Sequence, residues 1–218
     1  MAELSRVMPL TGDADFDARI MQFSDEQDPV RLEELRQGIW DRFGTEGAVF
    51  ISDMAGFSST SRKLGVCHFL KMICHARQIL ATVVADCGGL LLKCDADNSY
   101  AYFKNTDDAI RASLAANAAV FAANEHLPAG EQIFLSVGID YGRLLLIGDN
   151  EFFGDPVNTA SKLGEDLAVR SEVLVTQRAL DQSTFELPSH AERMTARISG
   201  IEIRYVRLPM TEARSHAD

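Results

Sequence analysis

Two aspartates stand where the apolar pattern of this chain ends. In AVFISDMAGFSS (48–59), Ala48, Val49, Phe50 and Ile51 read as a buried strand that runs out on Asp53. In GGLLLKCDADNSYAYF (88–103), Asp95 and Asp97 fall between two apolar strands. A lone carboxylate is costly to bury unless it is paired or binds a metal. If the two strand ends are neighbours, Asp53 and Asp97 meet and repel. A divalent cation relieves that repulsion, and oxygen ligands suit Mg²⁺ or Mn²⁺. Two such acids can hold two ions for phosphoryl transfer, one activating a hydroxyl and the other clamping a triphosphate. A pair of solvated turn aspartates is the alternative, and these residues alone leave it open.

The elements that must position these acids alternate along the chain. A strand over 48–54 is followed by a helix over about 61–86, a hairpin over 89–103 and a helix over about 106–125. Strands over 133–140 and 143–148, joined by a turn at Gly142, come next. A helix then opens near Asp155 and runs to about 168, before strands over 172–176 and 201–208. This order predicts an α/β (α+β) fold, a ferredoxin-like βαββαβ core with additional strands and helices. Residues 46–208 form the expected main domain, and 209–218 a tail. Residues 1–45 form an N-terminal extension, with 1–27 acidic, weakly patterned and expected to be loosely held. Within it, DPVRLEELRQGIWDRFG signals a helix, with Asp28 as N-cap, Pro29 at N1 and Gly44 placed to end it at C′. Its stripe of Leu32, Leu35, Ile39 and Phe43 is expected to pack on the same domain.

Composition narrows the function classes. The chain has 218 residues, a net charge of −11 and no basic run, which argues against binding nucleic acid or an anionic membrane. Cys67, Cys74, Cys87 and Cys94 are scattered without zinc-ligand spacing and read as free thiols. No apolar run approaches 18 residues and no signal peptide is visible, so a cytoplasmic protein is expected. His68 and His75 lack a metal-ligand pattern. Asp140 and Asp155 are read as turn and capping residues. Asp107, Asp108, Glu165 and Asp166 are read as solvated helix faces or ends.

Four stretches together resemble the catalytic domain of the class III adenylate and guanylate cyclases. FISDMAGFS is similar to that family's F-x-D-[IV]-x-G-F-[ST] motif, and KCDADNSYAYF to its K-x-x-G-D hairpin. VGIDYGRLLLIG is similar to its G-I-x-x-G-x-[VL] segment, and FFGDPVNTASKL to its [WY]-G-x-x-V-N-x-A-[SA]-[RK]-[LM] helix. The resemblance spans roughly 46–208 with the motifs in order. It implies that Asp53 and Asp97 bind two Mg²⁺ or Mn²⁺ ions beside the Met54 backbone, Asp97 being favoured over Asp95. It further implies that Lys93 and Glu151 read the base, with Phe57 also on the substrate. Asn158 orients the ribose, Lys162 stabilises the transition-state phosphate, and Arg143 reaches the phosphates from the metal-bearing side. In such enzymes the site forms between two domains, so a head-to-tail homodimer with two shared sites is expected. Three departures stand out: Ala96 replaces the glycine before the second aspartate, Lys162 replaces an arginine, and the loop before the last strand lacks a lysine. Arg197 or Arg204 is a possible substitute for that lysine.

The base pair of contacts can be argued from chemistry. Lysine only donates and an ionised glutamate only accepts. Lys93 and Glu151 therefore fit the N1 acceptor and 6-amino donor of adenine, and also the matching edge of cytosine. They mismatch guanine and uracil, each mismatch costing about 1–3 kcal/mol. The expected substrate is a nucleoside triphosphate, ATP first. A pyrimidine nucleotide cyclase, with CTP favoured over UTP, is the near alternative. A catalytically weak homologue acting as a nucleotide-binding or dimerisation module is the other. The hairpin lacks the GG[DE]EF pattern of a diguanylate cyclase. No sensor domain is recognisable, and the helix at 28–43 is left to clamp the dimer or receive a regulator.

Overall fold

The computed structural model describes residues 9–55, 65–128, 130–198 and 200–209. An eight-stranded mixed sheet runs through it. The order of seven strands is β2-β3-β1-β4-β6-β8-β7, with β5 pairing β4 from off that path. The strands are β1 (Gly44–Met54), β2 (Leu90–Asp95), β3 (Asn98–Phe103), β4 (Leu135–Ile147), β5 (Glu151–Phe153), β6 (Glu172–Thr176), β7 (Glu192–Ile198) and β8 (Ile201–Pro209). The helices are α1 (Ala14–Asp25), α2 (Pro29–Phe43), α3 (Val66–Asp86), α4 (Thr106–Asn124), α5 (Asp155–Ser161) and α6 (Gln177–Leu180). A π-helical segment, Lys162–Leu167, continues α5. The run β1-α3-β2-β3-α4-β4, with β2-β3-β1-β4 adjacent and antiparallel, is the predicted ferredoxin-like core. Among the described residues, no helix is long and apolar enough to cross a membrane.

Side-chain alternation gives β1 two different faces. Ala48, Phe50 and Met54 point into the main core, against Phe69, Met72, Ile73 and Leu80 of α3 and Ile110 and Val120 of α4. Val49 and Ile51 point the other way, onto Tyr102, Leu144, Phe152 and Ala160. Asp53 follows the second parity. The acid therefore ends the face that α5 and β5 cover, not the face sealed by the long helices.

Several local expectations are corrected. Residues 14–25 are not loose. They form α1, capped by Asp13, whose side chain accepts from the Asp15 and Phe16 amides. Gly44 does end α2, but as its C-cap and not at C′: its amide donates to the Trp40 carbonyl, and its extended backbone (φ −70, ψ 133) already belongs to β1. Glycine is needed there because a Cβ would lie 2.9 Å from the Trp40 ring. The expected boundary at 45/46 thus falls inside β1. No turn occurs at Gly142: β4 is one 13-residue strand, with Gly142 paired to Gly47. The helix expected over 155–168 changes from α to π at Lys162. Strands β5 and β7 were not anticipated. Of the helix expected over 61–86, residues 61–64 lie outside the described residues.

Candidate active site

The two acids meet. Asp53 is the penultimate residue of β1, and Asp97 is the second of two residues, Ala96 and Asp97, that turn β2 into β3. Their carboxyls interact by a hydrogen bond as well as by charge. Burial, then the Asp97 charge and that hydrogen bond, push the Asp53 carboxyl up to about 6, against a counter-pull from the Met54 amide. Burial also raises Asp97, while the hydrogen bond from Asp53 lowers it. The pair as a whole therefore favours holding one proton between its carboxyls over carrying two full charges. Glu165 of the π-helical segment stands close enough to raise Asp53 further, and its own carboxyl is raised by burial, Asp166 and Asp97. It accepts from Asn98 Nδ2 at 3.3 Å. Its expected role as a solvated helix residue omits this approach to the hairpin tip.

The turn itself is strained at one residue. Ala96 has φ +46, the left-handed region that glycine occupies without cost. Only the first central turn residue carries positive φ, a position that normally selects glycine. Arg77 of α3 donates to the Ala96 carbonyl at 2.7 Å and so ties the tip to the core.

Lys93 and Glu151 also come together. Lys93 Nζ lies 2.7 and 2.8 Å from the two Glu151 carboxylate oxygens. A β-bulge between Leu91 and Lys93 sets Lys93 opposite Tyr100, whose ring centroid is 5.1 Å from the ammonium. Glu151 also accepts from the Phe152 amide at 3.0 Å, and Phe152 packs edge-on against Tyr100.

Asn158 and Lys162 are one helical turn apart and share a face. They line a cleft of about 450 Å³ whose opposite wall includes Ile201, Ile203 and Arg204 of β8 and Arg178 of α6. Two glycines fix the depth of this helix. A Cβ on Gly164 would come within 2.9 Å of the Ile51 carbonyl oxygen, and one on Gly138 within 2.6 Å of the Gly164 amide nitrogen. The segment therefore rests directly on the β1 and β4 backbones. Asp140 anchors it from below. This carboxylate is fully buried, accepts from Thr176 Oγ1 at 2.5 Å and is held by both arms of the Arg178 guanidinium. Arg178 also reaches Asp155, the first residue of α5, at 2.6 Å. These contacts raise the Arg178 pKa further. Asp140 is thus an internal counter-ion and not a turn residue, and Arg178 was missed by sequence reasoning.

The remaining predicted residues lie as follows. Met54 has its side chain in the core, leaving only its main chain at the acids. Arg143 is not brought to the acids of its own chain. It pairs with Glu46 while Asp53 pairs with Ser136, near the other end of β1, roughly 24 Å away at ~3.4 Å per residue. Its guanidinium stacks on Trp40 at 4.7 Å. Phe57 lies outside the described residues. Arg197 donates to the Gly200 carbonyl, whereas Arg204 faces the cleft. His68 and Lys71 both pair with Glu131. Among the described residues, no group of three or more His, Cys, Asp or Glu side chains is arranged to hold a metal ion.

Comparison with known proteins places this architecture. The chain has the fold of adenylate and guanylate cyclase catalytic domains. It matches an adenylate/guanylate cyclase/hydrolase from Silicibacter pomeroyi with a TM-score of 0.65 and 21% identity, covering 78% of this chain and 99% of that one. The guanylyl cyclase Cya2 matches with a TM-score of 0.67 and 18% identity, over 79% and 96% of the two chains. A bacterial light-regulated adenylyl cyclase matches with a TM-score of 0.60 and 20% identity, over 75% and 89%. In sequence, the chain is 26% identical over 116 residues to a curated protein of Rhizobium meliloti (strain 1021) named "Putative adenylate cyclase 3". That match takes in 53% of this chain, which spans only 20% of the relative's length. No protein-family model matches the chain.

Proposed function

We propose that this protein is a metal-dependent nucleotide cyclase that converts ATP to 3′,5′-cyclic AMP and pyrophosphate. The observation that carries the reading is the meeting of Asp53 and Asp97, from separate strand ends, at the edge of the α5-covered face. Two half-buried carboxyls held against each other are stabilised when a cation takes the place of the proton between them. The donor set fits Mg²⁺ or Mn²⁺: two carboxylates and a nearby main chain, with phosphate oxygens and water completing the coordination. Two bound ions would supply charge neutralisation and an activated ribose 3′-hydroxyl.

The chain's own residues do the positioning. Lys93 and Glu151 open their ion pair to take the base edge, Lys93 donating to N1 and Glu151 accepting from the 6-amino group. Asn158 orients the ribose so that its 3′-oxygen lies in line with the α-phosphorus. Lys162 offsets the charge that grows on the phosphate as pyrophosphate leaves. The two halves are completed across a homodimer, with the acids from one chain and Lys93, Glu151, Asn158 and Lys162 from the other. Arg143, far from the acids of its own chain and stacked on Trp40, takes no part in this assignment. The same base edge favours CTP as the second substrate. Incubating the protein with each of the four ribonucleoside triphosphates and Mn²⁺, with products identified by mass spectrometry, tests the reading. Cyclic AMP as the main product supports it. Cyclic GMP or cyclic UMP as the main product refutes the base assignment, and no cyclic product refutes the activity.

A further inference from the structure

We propose that the N-terminal helix pair is a positioning element of the base subsite, acting on Glu151 through a stack between Phe16 and Phe153. This rests on the cyclase reading for what Glu151 does, but the link itself is a matter of packing. Phe16 of α1 is 1% exposed. Its ring lies parallel to that of Phe153, with centroids 6.0 Å apart and an interplanar angle of 9°. On its other side it meets Phe43 of α2 edge-on at 5.1 Å. Ile39, Ile147, Ile20 and Phe23 complete the cluster.

What makes this contact consequential is β5. The strand has three residues and, among the described residues, pairs only with β4, through Phe153–Leu145, Phe152–Leu146 and Glu151–Ile147. So short a strand gains little from its own ladder and depends on side-chain packing for its place. Its successive side chains point opposite ways. Phe153 goes to the helix pair. Phe152 goes inward, onto the Tyr100 ring over which Lys93 sits. Glu151, next in line, turns its carboxylate onto Lys93. The three-residue strand is thus held between α1 and the base-reading pair, and displacement of α1 is passed to Glu151 within two residues. A site that discriminates bases by two hydrogen bonds needs those groups held to a fraction of an ångström. The helix pair therefore sets base selectivity without touching the nucleotide. It also gives the helices α1 and α2 a purpose other than tethering a partner.

Two measurements on Phe16→Leu and Phe153→Leu decide this, with Met21→Ala, an exposed position on the same helix, as control. The first is amide hydrogen exchange. Both leucine variants should speed exchange of the residue 151–153 amides while those of α3 keep their protection, and the control should not. The second is the ratio of kcat/KM for ATP over GTP. It should fall roughly tenfold in each leucine variant, and should fall no further when Phe16→Leu is added to Glu151→Gln. Unchanged exchange in β5, or equal losses on ATP and GTP with the ratio kept, overturns the proposal. If the wild type makes no cyclic nucleotide, the cyclase reading falls, and the exchange measurement still decides the brace.

Discussion

Lys93 Nζ is 2.7 Å from Glu151 Oε1, although the two residues are 58 positions apart and reach each other from different strands. In the proposed site, a donor-only and an acceptor-only group, half-buried and paired, would make a filter for a base that offers one acceptor beside one donor. Glu151→Gln keeps the shape but adds an amide donor, which guanine O6 accepts. The ATP-over-GTP ratio of kcat/KM should fall by about tenfold or more. A ratio that stays at the wild-type value in steady-state assays removes Glu151 from base reading.

The acid pair predicts an unusual pH dependence of stability. The folded-state pKa of Asp53 is raised from 3.8 to about 6, so the native state binds more protons than the unfolded state between those values. Stability contributed by the protonated Asp53 is full below about pH 4 and is lost as pH rises through 6. Because the group is half open to water, the loss is about 1–2 kcal/mol. Urea unfolding of wild type and Asp53→Asn across pH 4.5–7.5 should show the difference between them growing in the variant's favour. Saturating Mg²⁺ should cancel that growth for the wild type. A constant difference contradicts the shared proton.

Ala96 at φ +46 makes a stabilising substitution available. A left-handed alanine costs about 1–2 kcal/mol, and glycine returns about half of this through its freer unfolded chain. Ala96→Gly should raise the urea midpoint by an amount equivalent to about 0.5–1 kcal/mol with no change in slope. A lowered midpoint would show that the turn does not hold this conformation in solution.

Gly164 sets a packing constraint from within the helical segment that carries Lys162. Gly164→Ala presses a methyl toward the Ile51 carbonyl oxygen at 2.9 Å and should cost about 1–3 kcal/mol. It should also lower kcat more than it raises KM, because Lys162 is displaced with the π-helical segment. Thermal unfolding together with steady-state kinetics checks both effects. An alanine variant with wild-type kcat would mean that helix depth does not set the position of Lys162.

The sharing of sites has its own test. Asp53→Ala and Asn158→Ala should each be inactive, yet an equimolar mixture should recover a fraction of wild-type turnover, since one dimer arrangement holds an intact site. Coupled size-exclusion and activity measurements read this directly. Two inactive chains that stay inactive when shown to mix would place each site within one protomer.

Much of this architecture is legible in the sequence because its apolar runs are long and its acids interrupt them. Asp53 and Asp97 stand out by residue type, whereas Lys93 and Glu151 were picked out only by the motifs they share with a known family; the structure sets Asp53 near Asp97 and pairs Lys93 with Glu151. The first helix was legible in principle: Asp13 is a sound N-cap, and Phe16, Ile20 and Phe23 follow at helical spacing. The charges between them obscured the stripe. Strand β5 is too short to show alternation, and β7 (ERMTARI) carries edge-strand charges where apolar periodicity is sought. Nothing in spacing connects Asp140 with Arg178, 38 residues later. Only the parallel pairing of β4 and β6 brings the buried acid to its counter-ion.

The central claim is that Asp53 and Asp97 hold the ions that drive cyclisation. The most direct measurement is product analysis of wild type and Asp53→Ala incubated side by side with ATP and Mn²⁺. The expected result is 3′,5′-cyclic AMP with equimolar pyrophosphate from the wild type, and at least a hundredfold less, roughly the loss of a key charge-stabilising group, from a folded Asp53→Ala. Cyclic AMP formed at the wild-type rate by Asp53→Ala, or none from either protein, would contradict it.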